Sequence, residues 1–315
     1  MTITQLEYLV ALHTHGNFVA AAEHCKVTQP ALTTQIKNME VELGVLLFDR
    51  SRKPMVITEA GAAIVEQAYR ILREVRNLRH VADLFQGDLK GSLRVGIIPT
   101  LAPYLLPLFI NEFQKKHPTV NLVFVEDLTH QLLQKLKLGQ LDVCLLSTPV
   151  ATQGTKAYPL FHERFYFYFH PKHPLLKAPS VSYEDLKDEV LWILKEGNCF
   201  RNQVVAICEL DTNPTTHAPL RYEGSSLDTL VRLVESQEGM TILPELAIRN
   251  LPKSKASQIK AISDEKLVRE ISLVVSRNFL KKPMIDQFME EIKGFLPQHM
   301  TSLEGHKVVG TYVRV

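Results

Sequence analysis

An α/β chain is predicted, made of a small helical module with a two-stranded wing, one long helix, and two α/β lobes. Three observations predict it. At 315 residues the chain exceeds the roughly 250–300 at which one hydrophobic core stops growing, so several domains are expected. Residues 1–58 hold short apolar helical repeats closed by a basic turn. From Leu93 onward, strand-like runs alternate with helical periods, which implies a mainly parallel sheet with helices on its faces. The composition agrees: hydrophobic residues at 45% and charged residues at 22% describe a soluble globular chain.

Leu6, Leu9 and Val10 fall on one face of a first helix, which Gly16 ends because its backbone tolerates a left-handed turn. Asn17 caps a second helix with Phe18 and the small residues Ala20, Ala21 and Ala22, over which another helix can approach closely. Thr28 caps a third, and Pro30 is tolerated in its first turn. There Leu32, Ile36, Met39 and Leu43 recur at helical spacing as one buried stripe, and Gly44 closes the helix. The opposite face carries Gln29, Thr33, Thr34 and Lys37. A basic turn from Arg50 to Pro54 and the strand-like Met55, Val56 and Ile57 complete a wing.

The long helix is expected over 59–87. Ile64, Ala68, Ile71, Val75, Leu78, Ala82 and Phe85 alternate steps of four and three, a heptad seam that drives pairing of helices. The alternative is an amphipathic helix lying on its own domain. Arg70, Glu74, Arg76 and Arg79 around the narrow seam favour a dimer helix, which would reach roughly 40 Å. The sequence GDLKG then reads as a hinge, placed at 88–91. Strands are expected at Leu93–Ile98, Val120–Val125, Leu141–Leu146, Phe165–Phe169, Val190–Leu194, Met240–Leu243 and Ile271–Val275. Helices are expected after Pro99-Thr100, from Thr129, after Asn198, from Ser226, and around Ile285 to Phe295, while the tail after Pro297 has no clear period. The expected division is lobe I at 92–162 with 268–300, lobe II at 163–267, and a tail at 301–315. A small ligand would bind at the carboxyl ends of the strands between the lobes.

A third helix with a polar N-terminal half, set behind a tightly packed second, suits the major groove of double-stranded DNA. Gln29, Thr33 and Thr34 can reach base edges or phosphates from the end of the helix where Thr28 and Pro30 stand, and Lys37 is a phosphate contact. Arg50, Arg52 and Lys53 on the wing would grip the backbone and make affinity depend on salt. Against this, the five bases of residues 1–58 are balanced by five acids, and the whole chain carries only +2. A three-helix module that binds protein is the competing reading.

The stretch LEYLVALHTHGNFVAAAEHCKVTQPALTTQIKNMEVELGVLLFDR resembles the N-terminal winged helix-turn-helix of LysR-type transcriptional regulators; QPALTTQI with the following ELG is its most specific part. With the hinge and two lobes, the resemblance extends over nearly the whole chain. It implies a dimerising linker helix, a regulatory domain of periplasmic-binding-protein type, and homodimers that assemble to homotetramers on promoter DNA, with RNA polymerase as a further partner. The position of Thr34 is often basic in that family, so its contact with DNA is expected to differ here.

Of four cysteines, Cys25 and Cys144 sit in apolar surroundings and read as small buried hydrophobes. Cys199 and Cys208 differ. Gly197-Asn198 before Phe200, Val204 and Ile207 reads as a helix start with Asn198 as N-cap. Cys199 then occupies the first turn, where exposed N–H groups and the dipole favour a thiolate, and Arg201 adds a positive charge. Such a thiolate attacks a peroxide oxygen, and the resulting sulfenic acid condenses with a second thiol, for which Cys208 is the nearest candidate. Nine residues of helix separate the two Cα atoms by about 13 Å, whereas a disulfide needs roughly 4.4–6.8 Å, so a bond would require refolding. Two unrelated half-buried cysteines are the equal alternative.

GNCFRNQVVAIC resembles the redox-active segment of the peroxide-sensing OxyR branch of the LysR-type family, as do IIPTLAPYLLP and DLTHQLLQKLKLGQLD. The resemblance implies that Cys199 is the peroxidatic cysteine and Cys208 the resolving one. It also implies that Thr100 and Thr129, with His130 adjacent, bind peroxide and ordered water, and that Arg269 stabilises the thiolate. Asn202 stands where the branch often has Asp, which bears on proton transfer.

Other chemistry is disfavoured. No GxSxG, GxGxxG or Walker A sequence occurs, so hydrolase, dinucleotide and NTPase readings lack support, and a regulator rather than an enzyme is expected. A regulator answering a noncovalent effector is the alternative, and a thiol peroxidase a more distant one. No cofactor is expected, nor a metal: no CxxC pair occurs, and His170 and His173 lie among prolines in a turn. The N-terminus has no basic start or cleavage site and no apolar run reaches 18 residues, so a cytoplasmic protein without a membrane partner is expected.

Overall fold

The computed structural model describes residues 1–84 (79–84 by backbone alone), 91–150, 152–182, 184–186, 189–208, 222–262, 267–277, 279, 281–302 and 305–311. Ala82 and Phe85 of the heptad seam, Arg79 beside it, and positions 88–90 of the hinge lie outside the described side chains. The chain forms two compact units, Met1–Asp88 with Leu138–Gln140, and Leu89–Lys137 with Leu141–Val315.

In the first unit, α1 (Ile3–His15) opens on a capping box between Thr2 and Gln5 and ends at Gly16 with φ of 69°. Asn17 caps α2 (Phe18–His24), accepting from the Ala20 N–H at 2.8 Å. Thr28 caps α3 (Gln29–Leu43), and Gly44 ends it, again at φ 69°. The two-residue strands β1 (Phe48–Asp49) and β2 (Val56–Ile57) pair antiparallel as the wing. Leu6, Leu9, Leu12, Leu32, Ile36 and Met39 are the core, each contributing about 1.5–3 kcal/mol by burial.

The long helix α4 (Glu59–Leu84) departs from a single seam. Its first half does lie on its own domain, burying Val65, Ala68, Tyr69 and Leu72. Of the expected seam, Ala68 is buried, whereas Ile71 is 38% and Leu78 75% exposed. The reading of an amphipathic helix lying on its own domain therefore holds for the stripe of Val65, Ala68, Tyr69 and Leu72.

The second unit begins with β3 (Gly91–Ile97), α5 (Ala102–Lys116), β4 (Val120–Glu126), α6 (Thr129–Lys137), β5 (Val143–Thr148) and β6 (Thr155–Phe169). It continues with α7 (Cys199–Ile207), α8 (Leu227–Ser236), β7 (Met240–Pro244), α9 (Glu245–Arg249), β8 (Ile259–Ala261) and β9 (Leu267–Ser276). The chain closes with α10 (Lys282–Gly294), α11 (Gln298–Thr301) and β10 (Lys307–Val308). Strands order as β4-β3-β5-β9-β6-β7. The expected parallel pairing holds for β3 with β4 and β5, whereas β5–β9, β9–β6, β6–β7 and β6–β8 are antiparallel. The sheet is mixed because β9 returns from late in the sequence between β5 and β6. At Gly96 in β3, an added Cβ would lie 2.7 Å from Leu141 Cδ1 and 2.9 Å from Cys144 Sγ, so only glycine lets the apolar layer close here.

Two strand expectations change. The strand at Phe165–Phe169 is the last third of β6, whose residues 155–164 pair with β9 while 165–169 pair with β7. Pro159 hides the first part from sequence: its missing N–H is accommodated by a register shift between Pro159 and Phe161. Val190–Leu194 is no strand but a single bridge, Leu191 to Met240.

Candidate functional site

On the first unit, Thr28, Gln29, Pro30, Thr34 and Lys37 are exposed along the N-terminal half of α3, and Thr33 is half-buried. Thr34 turns its hydroxyl back to the Pro30 carbonyl at 2.9 Å. Arg52 and Lys53 are exposed on the wing. Arg50 is engaged internally: it ion-pairs with Glu40 at 2.6 Å and lies over the Phe18 ring. Glu40 was not legible as functional. Buried at the end of α3, it accepts from the Leu47 N–H at 3.0 Å and so holds the wing to the helix.

In the second unit, Cys199 is the first residue of α7 and 3% exposed. Gly197, at φ 87°, makes the turn into the helix with space for a Cβ only 3.3 Å from Leu128. Asn198 occupies the N-cap position but does not cap. Its amide donates to the Lys195 carbonyl at 3.1 Å and to Ser225 Oγ at 3.2 Å. The first N–H groups of the helix, those of Cys199 and Phe200, are left for the sulfur, where they favour a thiolate.

The cation beside Cys199 is Arg269, not Arg201. Arg269 is fully buried; its Nη1 donates to Thr100 Oγ1 at 3.1 Å, its Nη2 to the Thr100 carbonyl at 3.2 Å, and its Nε to Glu163 at 2.6 Å. Its guanidinium lies over the Phe200 ring, 5.2 Å from the centroid, and Phe200 stacks on Phe165. Arg201 faces Glu196 at 3.9 Å. Thr129 is buried at the start of α6, its hydroxyl without a regular partner yet near enough to Cys199 to favour the thiolate. His130, one residue on, is exposed and stands outside the enclosure. Thr100 precedes α5 rather than opening it, because its backbone and hydroxyl are both engaged by Arg269.

The expected depression of the Cys199 thiol is opposed by its burial. Burial pushes the Cys199 thiol above its ordinary value, and Thr129, Arg269 and the two backbone N–H groups offset this only in part. Desolvation wins because the sulfur sits in a closed core. Cys208 ends α7, is buried, and is pushed up to about 12 by desolvation alone. Both are free thiols, and intact helix lies between them. Cys144 is a buried thiol and Cys25 a half-buried one, in keeping with their apolar surroundings. Among the described residues no cluster of three metal-ligating side chains occurs, and no helix is long and apolar enough to cross a membrane.

Residues distant in sequence were missed. Glu163, fully buried in β6, fixes Arg269 and accepts from the Leu246 N–H at 2.8 Å. Gln203 and Ser147 meet at 3.5 Å beneath α7. Neither has a sequence signal beyond a polar residue inside an apolar run.

A winged helix with an exposed polar recognition helix, joined through a long helix to a two-lobed α/β body, defines a DNA-binding transcriptional regulator with a separate sensing domain. Family models agree. Residues 3–62 match the bacterial regulatory helix-turn-helix protein of the lysR family, and residues 86–297 match the LysR substrate binding domain. The chain belongs to the LysR family. It is 38% identical over 249 residues to a hydrogen peroxide-inducible genes activator of Dickeya chrysanthemi, covering 79% of this chain and 80% of that one. The DNA-binding transcriptional dual regulator OxyR of Escherichia coli K12 matches equally, at 38% with the same coverage. Among solved structures, a full-length OxyR of Pseudomonas aeruginosa with a cysteine replaced by aspartate superposes with a TM-score of 0.76 at 32% identity, over 93% of this chain and 98% of that one. A hydrogen peroxide-bound cysteine-to-serine OxyR of Corynebacterium glutamicum gives 0.61 at 28%, over 93% and 92%.

Proposed function

We propose that this chain is a hydrogen peroxide-responsive activator of transcription, switched by a reversible Cys199–Cys208 disulfide. It binds promoter DNA through α3 and the wing, works with RNA polymerase in the cytoplasm, and assembles through α4 into homodimers and then homotetramers. The sensor is assigned to 163–267, with 92–162 and 268–300 as the supporting lobe.

The observation that carries this reading is the sulfur of Cys199 at the uncapped start of α7, enclosed with Thr129 and close to Arg269. The thiol first loses its proton. Its sulfur then attacks one peroxide oxygen, the O–O bond breaks, and the departing hydroxide takes up a proton to leave as water. Cys199 is now a sulfenic acid. Arg269 and the α7 N–H groups face the anion, and Thr100 and Thr129 supply hydroxyls toward the oxygens. Attack by the Cys208 thiolate forms the S–S bond and expels the second oxygen, with a proton, as water. Two electrons from a dithiol reset the pair.

Because α7 holds the Cα atoms about 13 Å apart, closure needs the helix to give way, and that motion carries the signal. Mass mapping of disulfides after a brief peroxide pulse tests the reading. A Cys199–Cys208 peptide pair is expected, together with loss of peroxide-dependent promoter activation in Cys199→Ser. Activation that persists in that variant would point to a noncovalent effector instead.

A further inference from the structure

The tail crosses the helix that has to refold. Residues 307–311 lie between β9 and α7 and are bonded to both. On one side Lys307 and Val308 pair in parallel with Leu267 and Val268, and the Val309 N–H donates to the Val268 carbonyl at 2.9 Å. On the other side the carbonyls of Val309 and Thr311, two residues apart, both accept from α7. Gln203 Nε2 reaches Val309 at 2.9 Å, and Asn202 Nδ2 reaches Thr311 at 3.0 Å. The far end is tied as well, since the Thr311 hydroxyl donates to the Pro149 carbonyl. Val309 and Thr311 are buried, and Gln203 is wholly so. Each of these amide hydrogen bonds joins the middle of the Cys199–Cys208 helix to backbone that β9 holds in place.

We propose that residues 307–311 are a strap that latches α7 in its dithiol form, with Asn202 and Gln203 as positioning residues that set how readily the disulfide closes. The inference rests on the redox reading above. It turns on amide chemistry, because a side chain must carry a donor to bond a backbone carbonyl, and the amides of Asn202 and Gln203 supply one each. An ionised aspartate at 202 would present oxygen to oxygen and leave the Thr311 carbonyl without that donor. Asn202 is thus a structural choice of this chain, separate from any part in proton transfer. Unlatching removes hydrogen bonds that exist only while α7 is helical, so it favours the disulfide without touching the sulfur, Thr129 or Arg269.

The test compares the full chain with Asn202→Ala and with a chain ending at Gly305, each pulsed with hydrogen peroxide and sampled by mass spectrometry. Sulfenic acid formation is read by trapping with a carbon nucleophile, and disulfide closure by its own mass. Loss of one hydrogen bond is expected to speed closure about fivefold and to raise the disulfide-to-dithiol ratio in a fixed glutathione buffer by about the same factor. Truncation, which leaves Asn202 in place, is expected to do more while sulfenic acid formation keeps its rate. Amide exchange across α7 in the reduced protein is expected to quicken in both variants. A merely structural role would lower the unfolding midpoint and leave the glutathione ratio unchanged. If the truncated chain does not fold, Asn202→Ala decides alone. Parental closure, ratio and exchange in a chain that does form the disulfide would overturn the strap. Absence of the disulfide in the parent chain would instead overturn the redox reading beneath it.

Discussion

Replacement of Arg269 by methionine separates two jobs of one guanidinium. Arg269 and Glu163 are both fully buried and pair at 2.5 Å, so removing the cation strands a carboxylate in the core. Breaking such a pair costs about 3–5 kcal/mol. For a domain of this size that corresponds to a drop of about 6–20 °C in melting temperature. Burial already pushes the Glu163 pKa upward, so the stranded carboxyl takes a proton as pH falls, and the deficit shrinks in acid. The second job is at the sulfur: without Arg269, the Cys199 pKa rises further and peroxide oxidation slows near neutral pH. The double variant Glu163→Gln/Arg269→Met removes both charges and should recover most of the stability, because no charge is left unpaired. It should not recover the oxidation rate. Thermal unfolding and stopped-flow oxidation over a pH series read the two effects independently. A single variant that loses less than about 1 kcal/mol, or a double variant that oxidises at the parental rate, would refute the assignment of Arg269.

Thr129→Val removes a buried hydroxyl that lacks a regular partner, so stability should change by less than about 1 kcal/mol while oxidation of Cys199 slows; equal rates would remove Thr129 from the site. Burial raises the thiols of Cys144, Cys199 and Cys208, so the unfolded chain loses these protons first as pH rises. The reduced protein should therefore be fully stabilised below the ordinary thiol range and lose up to about 1.4 kcal/mol per pH unit per thiol above it, and a flat urea midpoint from pH 8 to 10 would contradict this. For DNA, Arg52→Ala with Lys53→Ala should lower the slope of log affinity against log salt by about 1.8. Arg50→Ala should chiefly loosen the wing, since Arg50 is paired with buried Glu40.

The helical module was largely legible, although Leu43, expected on the buried stripe, is 37% exposed at the end of α3. Thr2 aside, its caps at Asn17 and Thr28, its glycine stops at 16 and 44, and the buried Leu32, Ile36 and Met39 all follow from spacing. The start of α7 at Cys199 was legible for the same reason. What failed did so where partners come from far along the chain. Pro159 disguised the first two thirds of β6, and Asn198 spent its amide on Ser225 instead of the helix. Arg201, close in sequence, gave way to Arg269, which reaches the site only because β9 returns beside β6.

Local backbone geometry therefore decided the elements: a cap, a left-handed glycine or a helical stripe acts over four or five residues, and the chain carries that information wherever it folds. The spacing of Cys199 and Cys208 belongs to the same level. Their ionisation does not. Desolvation and Coulomb attraction depend on what surrounds a sulfur in space, and here that is Thr129, Arg269 held by Glu163, and a closed core. The tail lying along α7 is likewise invisible before folding, since its hydrogen bonds span more than a hundred residues and only the packed sheet brings their ends together.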